Sequence, residues 1–247
     1  MSRFVFIFYI FSVSCFSQQI RIIEETETAH FAVQKDFEYL FVDQASQGII
    51  PIATIQASGK WNIADLFFAI QNEANQRGAN AFKVVEYIND DEITNKQSLL
   101  TLVVFFVGKS VLTENNSLKE KNVVYIFGND KVGEGKTSFK LNGKKEKVKN
   151  RNYYKFENKP FNELKISKGG IFGAETSIIG DDNKLPVFLT LSGLGIAPKV
   201  VYKGYKYTGS AYATGGFGIS INTGSIEFMN PNLAYLLIAV WEEEYSE

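Results

Sequence analysis

Residues 128–138, G-N-D-K-V-G-E-G-K-T-S, come nearest to a reactive motif in this 247-residue sequence. A phosphate-binding loop needs G-x-x-x-x-G-K-[ST] with a helix behind it, so that backbone amides at the helix N-terminus face the anion. Gly135, Lys136 and Thr137 supply the end of that motif, but Asp130 stands where its leading glycine belongs. Residues 139–142 then read as a strand running into a turn. The segment is a decoy, and nucleotide chemistry is not expected of it.

The other reactive groups are sparse. His30 is the single histidine, in a polar segment, and no G-x-S-x-G elbow is present to pair with it; a triad needs both a base and a nucleophile. The acidic clusters Asp90-Asp91-Glu92, Asp181-Asp182 and Glu242-Glu243-Glu244 fall in turns or near the C-terminus, where solvation accounts for them. A pair of carboxylates from distant positions remains the one catalytic arrangement that spacing does not exclude. Lys145, Lys147, Lys149 and Arg151 alternate, so on a strand they share a face. Such a stripe suits lipopolysaccharide phosphates or an acidic protein surface, and it equally suits an edge strand guarded against aggregation. Residues 205–227 mix glycines with Tyr205, Tyr207, Tyr212 and Phe217. They read either as a long loop over a sheet or as an aromatic surface that docks a partner or a glycan.

Those groups are expected to work outside the cytoplasm. Arg3, the apolar run 4–11 and the small polar residues 12–17 have the order of a secretory signal peptide. The run has eight residues, whereas a spanning helix needs about 20. Cleavage after Ser17 leaves Gln18 first; the rival reading makes Cys15 a lipidated first residue that anchors the chain. Cys15 is the only cysteine, so after cleavage at Ser17 no disulfide, thiolate nucleophile or cysteine-based zinc site can form. The formal charge of −1 over the whole chain lacks the basic excess of a nucleic-acid binder.

The elements that must position these residues fall into two parts. Residues 18–112 predict a small α+β domain. Residues 49–57 form a β-branched strand with Pro51 near its start, and residues 62–77 carry Ile63, Leu66, Phe67, Ile70 and Ala74 at helical spacing. Asn62 is the expected N-cap, with Asp65 in the first turn and Gly78 past the end. Residues 81–87 and 99–107 are further strands, the second apolar on both faces and hence central. Residues 31–42 fit either a strand or a short helix. Residues 113–121 read as a polar linker. Residues 122–247 then hold short candidate strands at 123–127, 137–141, 153–157, 163–167, 185–191 and 200–202, separated by turns such as Asn142-Gly143. That pattern predicts an antiparallel sandwich or barrel. Residues 233–241 fit a last strand or short helix.

Residues 66–85, with the turn Gly78-Ala79-Asn80-Ala81 between helix and strand, resemble small α+β envelope domains of the RcsF and YbjQ-like kind. The second part resembles β-rich domains of bacterial lipoproteins, and the ending Phe16-Ser17-Gln18 resembles signal peptides of Bacteroidetes. The resemblance implies a fold and an envelope location without an activity, because disulfide-dependent sensing in the RcsF family has no counterpart in a chain with one cysteine. Gly78 and Asn80 read as turn and cap residues.

The sequence therefore predicts an α+β protein, a strand-helix-strand-strand domain followed by an antiparallel β-sandwich or barrel. It is expected to be a non-enzymatic accessory or structural protein of the periplasm or outer membrane, acting on another envelope protein. The alternative is a glycan or cell-wall binding module. No cofactor, nucleic-acid partner or transmembrane span of the mature chain is expected.

Overall fold

A computed structural model describes residues 19–26, 31–59, 62–90, 97–131, 133–169, 173–192, 194 and 226–244. The expected signal peptide with Cys15, as well as His30, the strand at 200–202 and Tyr205, Tyr207, Tyr212 and Phe217, lie outside the described residues.

The fold is mixed α+β. The first sheet contains β1 (Gln19–Glu25), β2 (Glu38–Tyr39), β3 (Ile49–Gly59), β4 (Ala81–Asp90) and β5 (Gln97–Val107) in the order β1-β3-β5-β4-β2. β5 is the central strand, as its two apolar faces require. Leu100, Leu102 and Val104 face one side, and Phe105 and Val107 face the other. Pro51 sits at a register shift on β3 against β5, where its missing donor is tolerated.

Helix α1 (Ile63–Gln76) covers the first of these faces with Ile63, Leu66, Phe67, Ile70 and Ala74. Its caps follow the sequence. The Asn62 side chain accepts from the Asp65 amide at 2.9 Å, and Gly78 takes φ +85°, with any Cβ there falling 2.4 Å from the Cβ of Phe31. Asn80 is buried, and its amide bonds both ways with Val107, at 2.9 and 2.8 Å, as if it were one more residue of a strand.

Helix α2 (Lys109–Ser117) covers the opposite face. It takes up part of the segment 113–121 expected as a polar linker. The reason is Asn115, which is fully buried: its side chain accepts from the amides of Phe41 at 2.6 Å and Val42 at 3.4 Å and donates to the Tyr39 carbonyl at 2.9 Å.

The remaining strands form two sheets packed face to face. One holds β7 (Lys136–Leu141), β8 (Lys144–Lys149), β10 (Glu163–Lys168) and β11 (Ala174–Ile179) in the order β11-β10-β7-β8. The other holds β6 (Val123–Phe127), β9 (Asn152–Glu157), β12 (Val187–Thr190), β13 (Glu227–Phe228) and β14 (Glu242–Glu244) in the order β13-β12-β6-β9-β14. Asn142 and Gly143 turn β7 into β8 with φ +48° and +85°, the left-handed pair that a tight hairpin demands. The first sheet of this sandwich-like region is antiparallel throughout, but β12 with β6 and β14 with β9 pair in parallel. The connection to each of those strands is long, so hairpin signals do not specify their direction.

Helix α3 (Pro231–Val240) occupies the seam between the halves. Its residues Leu233 to Leu237 are buried in a cluster that also contains Phe37, Phe67 and Phe82 from the first part and Val123, Tyr125, Phe127 and Phe188 from the second. Among the described residues no helix is long and apolar enough to cross a membrane.

Asn115→Ala leaves three backbone groups without a partner and should destabilise the protein by about 3 kcal/mol, even though alanine is the better helix former by up to about 0.7 kcal/mol. Urea unfolding of the variant measures this; an unchanged midpoint would contradict the role given to Asn115.

Candidate interaction surfaces

The decoy loop has a structural task. Oδ2 of Asp130 accepts the Ile63 amide at 2.9 Å, at the N-terminus of α1, and Oδ1 lies 3.4 Å from Nε of Arg151. The Asp130 side chain is 7% exposed and that of Arg151 23%. A carboxylate at a helix N-terminus answers both the free amides and the positive end of the helix dipole. Lys136 and Thr137 are in β7, so no helix follows the loop. The residue that spoils the nucleotide motif is thus one that ties the second half of the chain to the first.

Arg151 accordingly departs from the alternating stripe. β8 ends at Lys149, and Arg151 occupies the turn before β9 with φ +56°. Lys145, Lys147 and Lys149 do share the outward face of β8, an edge strand of its sheet. The neighbouring strand adds two cations that the stripe did not include. Lys136 stands opposite Lys149 and Lys140 opposite Lys145, with Lys136, Ser138 and Lys140 all exposed. Lys149 is held by Glu244 at 3.2 Å. Lys136, Lys140, Lys145 and Lys147 have no carboxylate within ion-pair distance among the described residues. On the far strands the same face carries Glu163, Lys165 and Glu175, with Glu163 3.5 Å from Lys165, so the lysine excess is confined to the β7–β8 side of the sheet.

Of the acidic clusters, Asp181 caps its own turn, its side chain accepting from the Asp182 amide at 2.7 Å. Glu242–Glu244 instead form strand β14, where the largely buried Glu244 also accepts the Lys149 amide at 2.9 Å, so solvation does not account for that cluster.

Two features gave no signal in the sequence. The first is an ionic chain beside a cleft of about 410 Å³ lined by Glu120, Lys121, Asn122, Glu157, Lys159 and Pro160 among others. The Tyr125 hydroxyl donates to Glu120, as does Nζ of Lys155 at 2.6 Å. Burial acts to raise the Glu120 carboxyl, and these two hydrogen bonds outweigh it and hold it below its ordinary value. Burial and then Glu120 push the Tyr125 hydroxyl up, so it stays a donor.

The second is Phe161, one residue beyond Pro160. It has φ +64° and is 77% exposed, an unusual pairing for a bulky side chain. The turn is pinned by the Phe161 amide on the Gly180 carbonyl at 3.0 Å, the Asn162 amide on Lys159 at 3.1 Å and the Gly180 amide on Asn162 at 3.0 Å. Asn158 braces it from within, its side chain donating to the Ile178 carbonyl at 3.0 Å.

Compared with family models, curated proteins and solved structures, the chain finds no match.

Two outcomes check the Asp130 contact. Arg151→Gln should cost about 3 kcal/mol, because it removes the cation beside a buried carboxylate, whereas Lys145→Gln should change stability by less than about 0.5 kcal/mol; chemical denaturation of both separates Arg151 from the stripe. Burial and then the Asp130 charge push the Tyr87 hydroxyl up from 10.0 to about 12. The folded state holds that proton more tightly than the unfolded chain, so stability should fall as pH rises from about 10 to about 12. Tyr87→Phe should flatten this fall in pH-dependent melting, and an unaltered slope would contradict the assignment.

Proposed function

We propose that this chain is a non-enzymatic accessory protein of the cell envelope, in the periplasm or at the outer membrane, and that it works by docking on another protein. The observation that carries the reading is Phe161. A left-handed backbone costs an ordinary residue about 1–2 kcal/mol, and an aromatic ring left in water recovers none of it by packing. The turn around it is fixed by four hydrogen bonds, so the ring is presented on a rigid support. Rigid exposed aromatics are what protein interfaces use as anchors, since little side-chain entropy is lost on binding. Exposed Ile179, on the strand that pins the turn, extends the apolar area.

A glycan or cell-wall module is the second reading, favoured by the cleft lined by Glu120, Asn122, Glu157, Lys159 and Pro160. A photo-reactive phenylalanine analogue placed at Phe161, and at exposed Val33 as control, distinguishes the two in intact envelopes. One stoichiometric protein adduct from position 161 alone is expected. Adducts to saccharide, or none, would overturn the protein-docking reading.

Phe161→Gly provides an independent check. If the ring serves binding rather than folding, the variant should gain about 1 kcal/mol of stability while losing the association. A loss of stability would mean that Phe161 serves the fold instead.

A further inference from the structure

The lysines of β7 and β8 make a second surface, carried by different residues. Lys136, Lys140, Lys145 and Lys147 extend from one face of two adjacent strands, with Lys149 beside them. Neighbouring strands are about 4.8 Å apart, and alternate residues along a strand are separated by about 6.8 Å, so the charges form a dense, flat array. Lys136 opposite Lys149 and Lys140 opposite Lys145 are like-charge pairs, which weaken a sheet. Protection of an edge strand accounts for lysines on β8. It does not account for Lys140, which is paired with Lys145 of β8 on one side and with Ser167 of β10 on the other and so stands at no free edge.

We propose that this face docks on an anionic lipid surface, with phosphate headgroups as the counter-charge. Lysine is a flexible point charge without the fixed fork of arginine, and it needs no set geometry in its partner. Headgroups that move within a membrane plane can supply negative charge opposite every lysine of a flat array. A folded protein surface would have to hold carboxylates at matching spacing and carry their mutual repulsion when free. The lysine excess ends at β7, since Glu163 and Lys165 offset one another on β10 and Glu175 stands on β11, and this orients the contact: the β7–β8 side turns toward the membrane and the β10–β11 side away from it.

The test is co-sedimentation of the purified protein with vesicles of mixed phosphatidylglycerol and phosphatidylethanolamine, and with vesicles of phosphatidylcholine alone. Binding to the anionic vesicles only, weakening as salt is added, is expected. Each lysine near such a surface contributes about fivefold in affinity, so Lys136→Gln with Lys140→Gln should weaken binding by about 25-fold. This pair leaves the charges on the edge strand intact and relieves two repulsions, so melting temperature should hold or rise. Lys35→Gln with Lys109→Gln removes the same net charge from exposed positions elsewhere and should change binding by less than about twofold. Binding that ignores lipid charge, or that falls equally with the control pair, would overturn the proposal. So would equal affinity for poly-L-glutamate at matched charge, which would make the face a general polyanion surface.

Discussion

Helix α3 is apolar nearly all the way round, and a ten-residue helix of that kind must be covered on more than one side. Neither half of the chain can do this alone. The first part offers the aromatic rings of Tyr39 on β2 and Phe41 just beyond it, whose centroids lie 6.1 and 4.9 Å from that of Tyr235, and the third sheet offers Phe188 at 5.0 Å. From Tyr235 the ring contacts continue through Tyr39 to Phe82 and Phe67 on one side, and through Phe188 to Tyr125, Phe127 and Trp241 on the other. Burial of such rings is worth about 1.5–3 kcal/mol apiece. The seam is thus a core in its own right, and the two halves share it.

Directional contacts then fix how the halves meet. Asp130 reaches from the loop after β6 to the first amide of α1, and Lys119 reaches back to Glu38 at 2.9 Å with Tyr235 beneath it. Asn80, Asn115 and Asn158 do similar work within each half, each replacing a missing backbone partner with its side-chain amide. Such groups contribute little net energy when satisfied and cost much when orphaned, so they select one arrangement of loops. The rigidity that results lets Phe161 be held in a strained turn and lets five lysines be kept on adjoining strands. Both features lower stability, and both require surplus from the core.

Much of the scaffold could be read from the chain. Helix α1 announced itself by its apolar stripe and by Asn62, Asp65 and Gly78, all of them local signals, and the apolar run in β5 fixed its central place. What escaped was settled by tertiary contact. β1 is an edge strand with little burial and so carries no apolar period. α2 is polar, and its one buried anchor besides Val111 is an asparagine. The parallel pairings of β12 and β14 join residues too far apart in sequence for turn chemistry to specify. For the candidate surfaces, alternation placed Lys145, Lys147 and Lys149 correctly on one face but ran on to Arg151, past the end of the strand. Lys136 and Lys140 joined them only through cross-strand register. Phe161 left no trace, because its backbone conformation is imposed by Gly180 and Asn162 rather than by its own preference.

The central claim is that the halves form one cooperative frame through the α3 seam. Native-state hydrogen exchange along a urea series tests it most directly, with amides of β5 reporting on the first sheet and amides of β6 on the third. The account predicts that both sets exchange through the same global opening, with equal free energies and equal urea dependence. If one set exchanged with a markedly lower free energy and a shallower urea dependence, the halves would be separate folding units and the shared core would not be what holds them.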